Sequence, residues 1–416
     1  MRIPTHIAIA AAVLTAATPS LGADWSGTET TKDGVVHVTS PAAPSGGSTT
    51  LSPQEAWRAG GDDDEDVIFG VVREIAVDDA GNVYLLDVQL NQVHVFDRDG
   101  NFLRDIGREG EGPGEFRRPS SMFILPDGRI AIVQTMPGRI ILLNPDGTPG
   151  GDFHAPEAPD GGMQMFFEAG RAADNVILGV NEFKRGEGTF TSTRTLHLLD
   201  GKGSSRAVLA TSTTRREMSN MTFDEKQARG PEWAAGSDGR IYLSDDFDGY
   251  KIKRFDASGK LERVYERAYE HRARSKKEIE ENKPQVRFRT SSGTHRPEST
   301  ASPTDRDIVK MFARPDGSLW VLSSRGAFAA PKGTLVTLDV FDPAGRFVQQ
   351  TAINTEGSYR DDGVEVVGDY LFVVRQLRSA ERAMNADETD EPVEDENAEP
   401  MSIVCYRITT QSTARK

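Results

Sequence analysis

The groups from which this chain could build a reactive site are few and scattered. Seven histidines are present, and no two of them stand at a metal-ligand spacing. His37, His94 and His197 sit inside β-prone runs without a second histidine two or four places on. His6 lies in an apolar leader, and His154, His271 and His295 lie in loop-like stretches. Any metal would have to be gathered from distant segments, so no cofactor or metal is assigned from the sequence. Cys405 is the only cysteine and alternates with Val404 and Tyr406, as a buried inert thiol would. An intramolecular disulfide and Cys₂ or Cys₄ zinc sites are thereby excluded. Gly107–Gly114 is glycine-rich, yet it has no Gly-Lys-Ser/Thr ending, and Glu109, Glu111 and Glu115 would repel a phosphate. The acidic run Asp62–Asp66 lacks the glycine and closing glutamate of a calcium loop and reads as a solvated turn. No nucleophile elbow is found around a serine.

Positions that could line a binding site come from β-prone segments instead. Arg73, Glu232, Trp233, Lys310 and Glu365 stand at or near the starts of such segments in four separate parts of the chain. If those starts meet around an axis, they form a mixed-charge ring able to hold a small polar ligand.

The elements that would bring them together are visible as a repeat. A β-prone run, an Asp-x-Gly turn, a second run, a third run and another Asp-x-x-Gly-like turn recur six times. The copies begin near Ile75, Met122, Met163, Glu232, Val309 and Val364. The two turn glycines are 19 residues apart in the first two copies (Gly81 and Gly100, Gly128 and Gly147). They are 20 apart in the fourth (Gly239 and Gly259) and 28 in the fifth (Gly317 and Gly345). Glycine accepts the positive φ of a tight hairpin and aspartate caps it. Four short antiparallel strands per unit of about 45 residues is the pattern of a propeller blade, so the sequence predicts an all-β, six-bladed β-propeller with four-stranded blades. Val35–Thr39 is the expected ring-closing strand, placed beside Ser402–Ile408.

Composition agrees. The chain has 416 residues, 37% of them hydrophobic, enough for a core. Gly 40 and Pro 22 make 62 of 416, about 15%, above the ordinary ~12% and consistent with many turns. Lys and Arg total 49 against 64 Asp and Glu, a net charge of −15. That balance argues against nucleic acid as a partner.

Residues 1–23 read as a signal peptide: Arg2, an apolar run from Ile7 to Ala17, and small residues up to Ala23. The apolar run is too short to span a bilayer, which needs about 20 residues. The mature protein is therefore expected to be exported, periplasmic or secreted, without a membrane span and monomeric. Residues 24–50 read as linker, 51–410 as the propeller and 411–416 as a tail. An insertion near 269–305 has helix-compatible spacing up to Pro284 and could cover the channel. The stretch 381–400, with nine acidic residues and one arginine, reads as an acidic loop within the last copy.

The stretch from Trp57 through Phe69-Gly70, the first copy, and Gly112-Pro113-Gly114-Glu115-Phe116-Arg117-Arg118-Pro119 resemble the exported bacterial six-bladed β-propeller family, which is similar to NHL-repeat propellers. The resemblance spans about residues 55–375 and implies an exported propeller with no catalytic residue to carry over. The expected function is binding of a small polar ligand or an envelope protein. The alternative is a metal-dependent hydrolase or lyase, lactonase-like or amidating-lyase-like, with its site at the channel mouth; it rests on fold analogy.

Overall fold

The structure is a computed structural model describing residues 25–62, 67–155, 162–286, 288–290, 293–385 and 399–408. The expected leader, residues 63–66 of the acidic run, most of the acidic loop and the tail lie outside them. Six sheets are arranged as blades, each with its earliest core strand innermost. Blade one spans Val72–Ile106, blade two Pro119–Phe153 and blade three Met163–Glu217. Blade four spans Glu232–Arg267, blade five Ile308–Ile353, and blade six is built from Gly363–Val367, Tyr370–Arg375 and Ser402–Arg407.

The Asp-x-Gly turns close as expected. Asp78 Oδ1 accepts hydrogen bonds from the N–H groups of Ala80 and Asn82, and Asp97 repeats this with Asp99 and Asn101. The turn glycines have a second duty. Gly100, at φ +85°, lies against the indole of Trp57, and an added Cβ would come within 2.4 Å of the ring. Gly345, at φ +86°, lies in the same way against Tyr265, where a Cβ would come within 2.1 Å. In both cases the turn of one blade is seated on the outer strand of the blade before it.

The apolar clusters lie between blades. Phe153, Phe166, Leu142 and Leu178 join blades two and three, and Tyr242, Tyr265, Phe341 and Phe347 join four and five. The Gly107–Gly114 stretch is the crossover from blade one to blade two. Glu115 accepts from the Gly112 N–H and pairs with Arg108, so its charges are satisfied within the loop.

Ring closure differs from the expectation. Val35–Ser40 does not reach Ser402–Arg407; it pairs in parallel with Leu261–Arg267 on the outside of blade four. Ser48–Leu51 then pairs in parallel with blade five at Gln350–Ile353. The strand that completes blade six is Gln54–Gly60, antiparallel to Ser402–Arg407. Residues 28–60, expected mostly as linker, therefore form a belt over the rims of three successive blades. Side-chain size selects the closing strand: Trp57, 7% exposed, stacks on Phe96 of blade one at 5.9 Å and meets Phe372 of blade six edge-on at 6.0 Å. The smaller Val38 instead fills a space beside Tyr265 and Phe347.

Two further stretches acquire structure. Leu377–Asn385, overlapping the start of the expected acidic loop, is helical because Leu377, Ala380 and Met384 form one apolar stripe against the core. In the insertion, Lys276–Glu281 is a helix with a capping box between Ser275 and Glu278. Arg274, 3% exposed in its side chain, bridges Glu225 and Asp305 at 2.5 and 2.6 Å and ties the insertion down.

Trp57 closes the ring, so Trp57→Ala is expected to cost about 3–5 kcal/mol, as for other buried large-to-small changes. Urea unfolding measures it, and a cost below about 1 kcal/mol would show that closure does not depend on this side chain.

Candidate functional site

The innermost strands of the six blades enclose a cavity of about 960 Å³ along the axis. Each blade sends one polar side chain into its lining: Glu74, Ser121, Glu168, Glu232, Lys310 and Glu365, in blade order. The lining extends to the first turns of the blades, where Asp78, Asp79, Ser237, Asp369 and Arg407 edge it.

A shared irregularity sets four of these side chains. A bulge in the innermost strand leaves Arg73, Ser120, Phe167 and Val309 without a partner residue, and the next residue in each case is the one that lines the cavity. This explains the fate of Arg73. It is the extra residue of its bulge and turns away from the lining to Glu381, with Nε 3.0 Å from Oε1. Glu232, Trp233, Lys310 and Glu365 do line the cavity together. Sequence reasoning missed Glu74, Ser121 and Glu168. A signal existed for two of them, since the lining residue stands seven places before the first turn glycine in four blades (74 and 81, 121 and 128, 232 and 239, 310 and 317). The third copy has no glycine at that turn, so Glu168 has no such marker.

The ring is electrically uneven. Lys310 Nζ is paired with Glu365 Oε1. Burial works against the ammonium, but Glu365 holds it charged, well above the ordinary lysine range. Ser121 is held by blade three, donating to Ala169 O at 2.8 Å and accepting from Ala169 N at 3.2 Å. The other three carboxyls have no such neutralisation. Burial, followed by repulsion from Glu365, pushes Glu74 up to about 8. Burial pushes Glu168 up to about 7, with the Trp233 indole N–H and Arg194 opposing. Burial likewise pushes Glu232 up to about 7 against the pull of Arg306 and Lys310. All three keep some exposed surface, which faces the cavity.

Among the described residues, none from the insertion at 269–305 contributes to the lining. No described histidine lines the cavity. His94 is 3% exposed and bonded to Asp105 at 2.7 Å, and His271 is paired with Asp307 at 2.8 Å. Among the described residues, no three His, Cys, Asp or Glu side chains are placed to hold one metal ion. Cys405 is buried within blade six, and burial pushes its thiol up to about 12. Among the described residues, no helix is long and apolar enough to cross a membrane.

A family model described as "6-bladed beta-propeller" matches residues 63–148. The chain is a six-bladed β-propeller. Among solved structures, the propeller resembles a protein of the duf4221 family from Bacteroides vulgatus, at 11% identity and a TM-score of 0.48, covering 86% of this chain and 98% of that one. It resembles regucalcin, a calcium-binding protein from Agrobacterium tumefaciens, at 10% identity and a TM-score of 0.42, covering 87% and 97%. It also resembles virginiamycin B lyase from Staphylococcus aureus, at 11% and 0.38, covering 82% and 96%. No curated protein matches the chain. None of these likenesses assigns a role to a residue of the propeller described above.

The raised carboxyls have a stability consequence. Below the ordinary glutamate value of 4.5, folded and unfolded chains both hold the proton and the ring carries no penalty. Between there and about 7, the folded chain binds more protons than the unfolded one, so stability falls as pH rises through this window. Glu232→Gln is expected to raise Tm by about 2 °C or more at pH 8.5 and to leave it unchanged at pH 4. Differential scanning calorimetry at the two pH values checks this; an equal shift at both would show that ionisation of Glu232 is not opposed by the fold.

Proposed function

We propose that this is an exported binding propeller whose axial cavity takes a small polar ligand without covalent chemistry. The supporting observation is that every blade sends one polar side chain into a cavity of about 960 Å³. Binding sites of this size combine apolar walls with a few convergent polar groups. Here Trp233, Met311, Phe312 and Val366 supply apolar surface beside the glutamates and Lys310. The blades are tied together by interblade clusters and the outer belt, so the ring is prepared before a ligand arrives.

A second reading, a hydrolase or lyase, is favoured by one observation: carboxyls at about 7 to 8 are suited to general acid–base work near neutral pH. It would rest on Glu74, Glu168 and Glu232, since no metal-holding group is found among the described residues.

Thermal-shift screening of the leaderless chain against small polar metabolites tests the binding reading. Ligands that raise Tm are expected to do so less in Trp233→Ala and Lys310→Met than in the parent chain, by half or more. Shifts indifferent to both substitutions would move the site out of the cavity. Turnover of a bound compound, lost in Glu232→Gln, would favour the second reading. Export is checked by the intact mass of protein isolated from its host, expected to begin near Asp24; retention of Met1 would remove that part of the proposal.

A further inference from the structure

The cavity's charge pattern narrows the ligand. Of its four glutamates, Glu365 is already matched by Lys310. Glu168 is favoured in its charged form by the neighbouring Trp233 indole and by Arg194. Glu74 and Glu232 accept no hydrogen bond from any described residue, and their oxygens are not sealed away from the cavity. Both are half-buried in the cavity wall, where an unpaired carboxyl is costly. They belong to blades one and four, which face each other across the axis of a six-membered ring. Two acceptors on opposite walls, with a third at Glu168 beside Glu232, call for donors at more than one point.

A single metal ion does not meet that demand. Calcium takes six to eight oxygens at about 2.3–2.6 Å, and among the described residues no three acidic or histidine side chains converge in that way. An extended molecule with ammonium groups separated by methylenes does meet it. Its nitrogens can reach opposite walls while its carbons lie along Trp233, Met311 and Val366. Anionic ligands would face Glu74, Glu168 and Glu232 with one cavity lysine that is already engaged, and the arginine of the lining, Arg407, stands at the turn end of blade six. The rim carries Asp78, Asp79 and Asp369 beside Arg407, with Asp369 also paired to Arg314, and so keeps a slight excess of negative charge toward the opening.

We propose that the cavity binds a flexible organic polycation of the diamine or triamine class, with its terminal ammonium groups against Glu74 and Glu232. This rests on the reading of the cavity as a binding site.

The test is calorimetric titration of the leaderless chain with spermidine and with 1,4-diaminobutane. Calcium chloride, 1,4-butanediol and glutarate serve as ionic, neutral and anionic comparators. One spermidine per chain is expected, with a Kd on the order of 10 µM and persisting at 0.15 M salt. Glu74→Gln and Glu232→Gln should each weaken binding at least tenfold while circular dichroism shows the fold intact; Glu187→Gln, exposed on blade three and outside the lining, should change it less than threefold. The proposal is overturned if spermidine gives no heat at 1 mM, or if binding is indifferent to both glutamine variants and vanishes with salt. If spermidine is silent but butanediol or glutarate binds and loses affinity in Lys310→Met, the cavity is a binding site for another class. If all probes are silent, and the metabolite screen finds no ligand sensitive to Trp233 or Lys310, both readings fall.

Discussion

Contact between neighbouring blades is the interaction on which this molecule depends. A four-stranded blade has two apolar faces and can bury neither alone. The clusters of large side chains accordingly sit between sheets, as with Phe166 against Leu142 or Tyr265 against Phe341. The spacing between blades is set where backbone meets side chain. Gly100 lies against Trp57 and Gly345 against Tyr265, closer than any Cβ would allow. The turn glycines thus serve two physical needs at once, positive φ and close approach. The belt of residues 28–60 adds a second connection around the rim. It passes blades four and five before completing blade six, so the start of the chain is joined to its last strand.

Regular spacing of the blades has a consequence at the axis. Equivalent positions on the innermost strands are carried to the same cavity, and whatever side chains occupy them are held near one another. The ring is therefore a place where unlike residues can be gathered without a local motif. Glu74, Glu168 and Glu232 are gathered there with too little compensating charge, and burial raises all three.

The contrast with the insertion is instructive. There, Arg274 lies between Glu225 and Asp305, and Arg272 between Glu278 and Asp305, so each buried charge has its partner. Arg267 of blade four and Asp339 of blade five show the same balance across the blade boundary, at 2.6 Å and almost fully buried. Those charges are paired, whereas Glu74 and Glu232 in the axial cavity have no ion-pair partner among the described residues. Such a departure from electrostatic consistency is expected at a site of function rather than in a scaffold.

Local chemistry was legible in the sequence because it repeats. The Asp-x-Gly turns, the number of blades and the crossover at Gly107–Gly114 follow from residues adjacent in the chain, where φ preferences and side-chain caps act. Four of the cavity residues could be named for the same reason, as polar groups recurring near the starts of similar runs. Arg73 is not in the lining because a bulge adds one residue, and in a strand one residue exchanges one face for the other. The closing strand was misassigned because Val35–Thr39 and Gln54–Gly60 are both short β-prone runs. Their local propensity does not distinguish them; only the space between Phe96 and Phe372, which takes an indole, does so. The raised carboxyls belong wholly to the tertiary structure. A glutamate's proton affinity depends on how much water surrounds it and which charges lie across the cavity, and residues 74, 168 and 232 become neighbours only when the ring is closed.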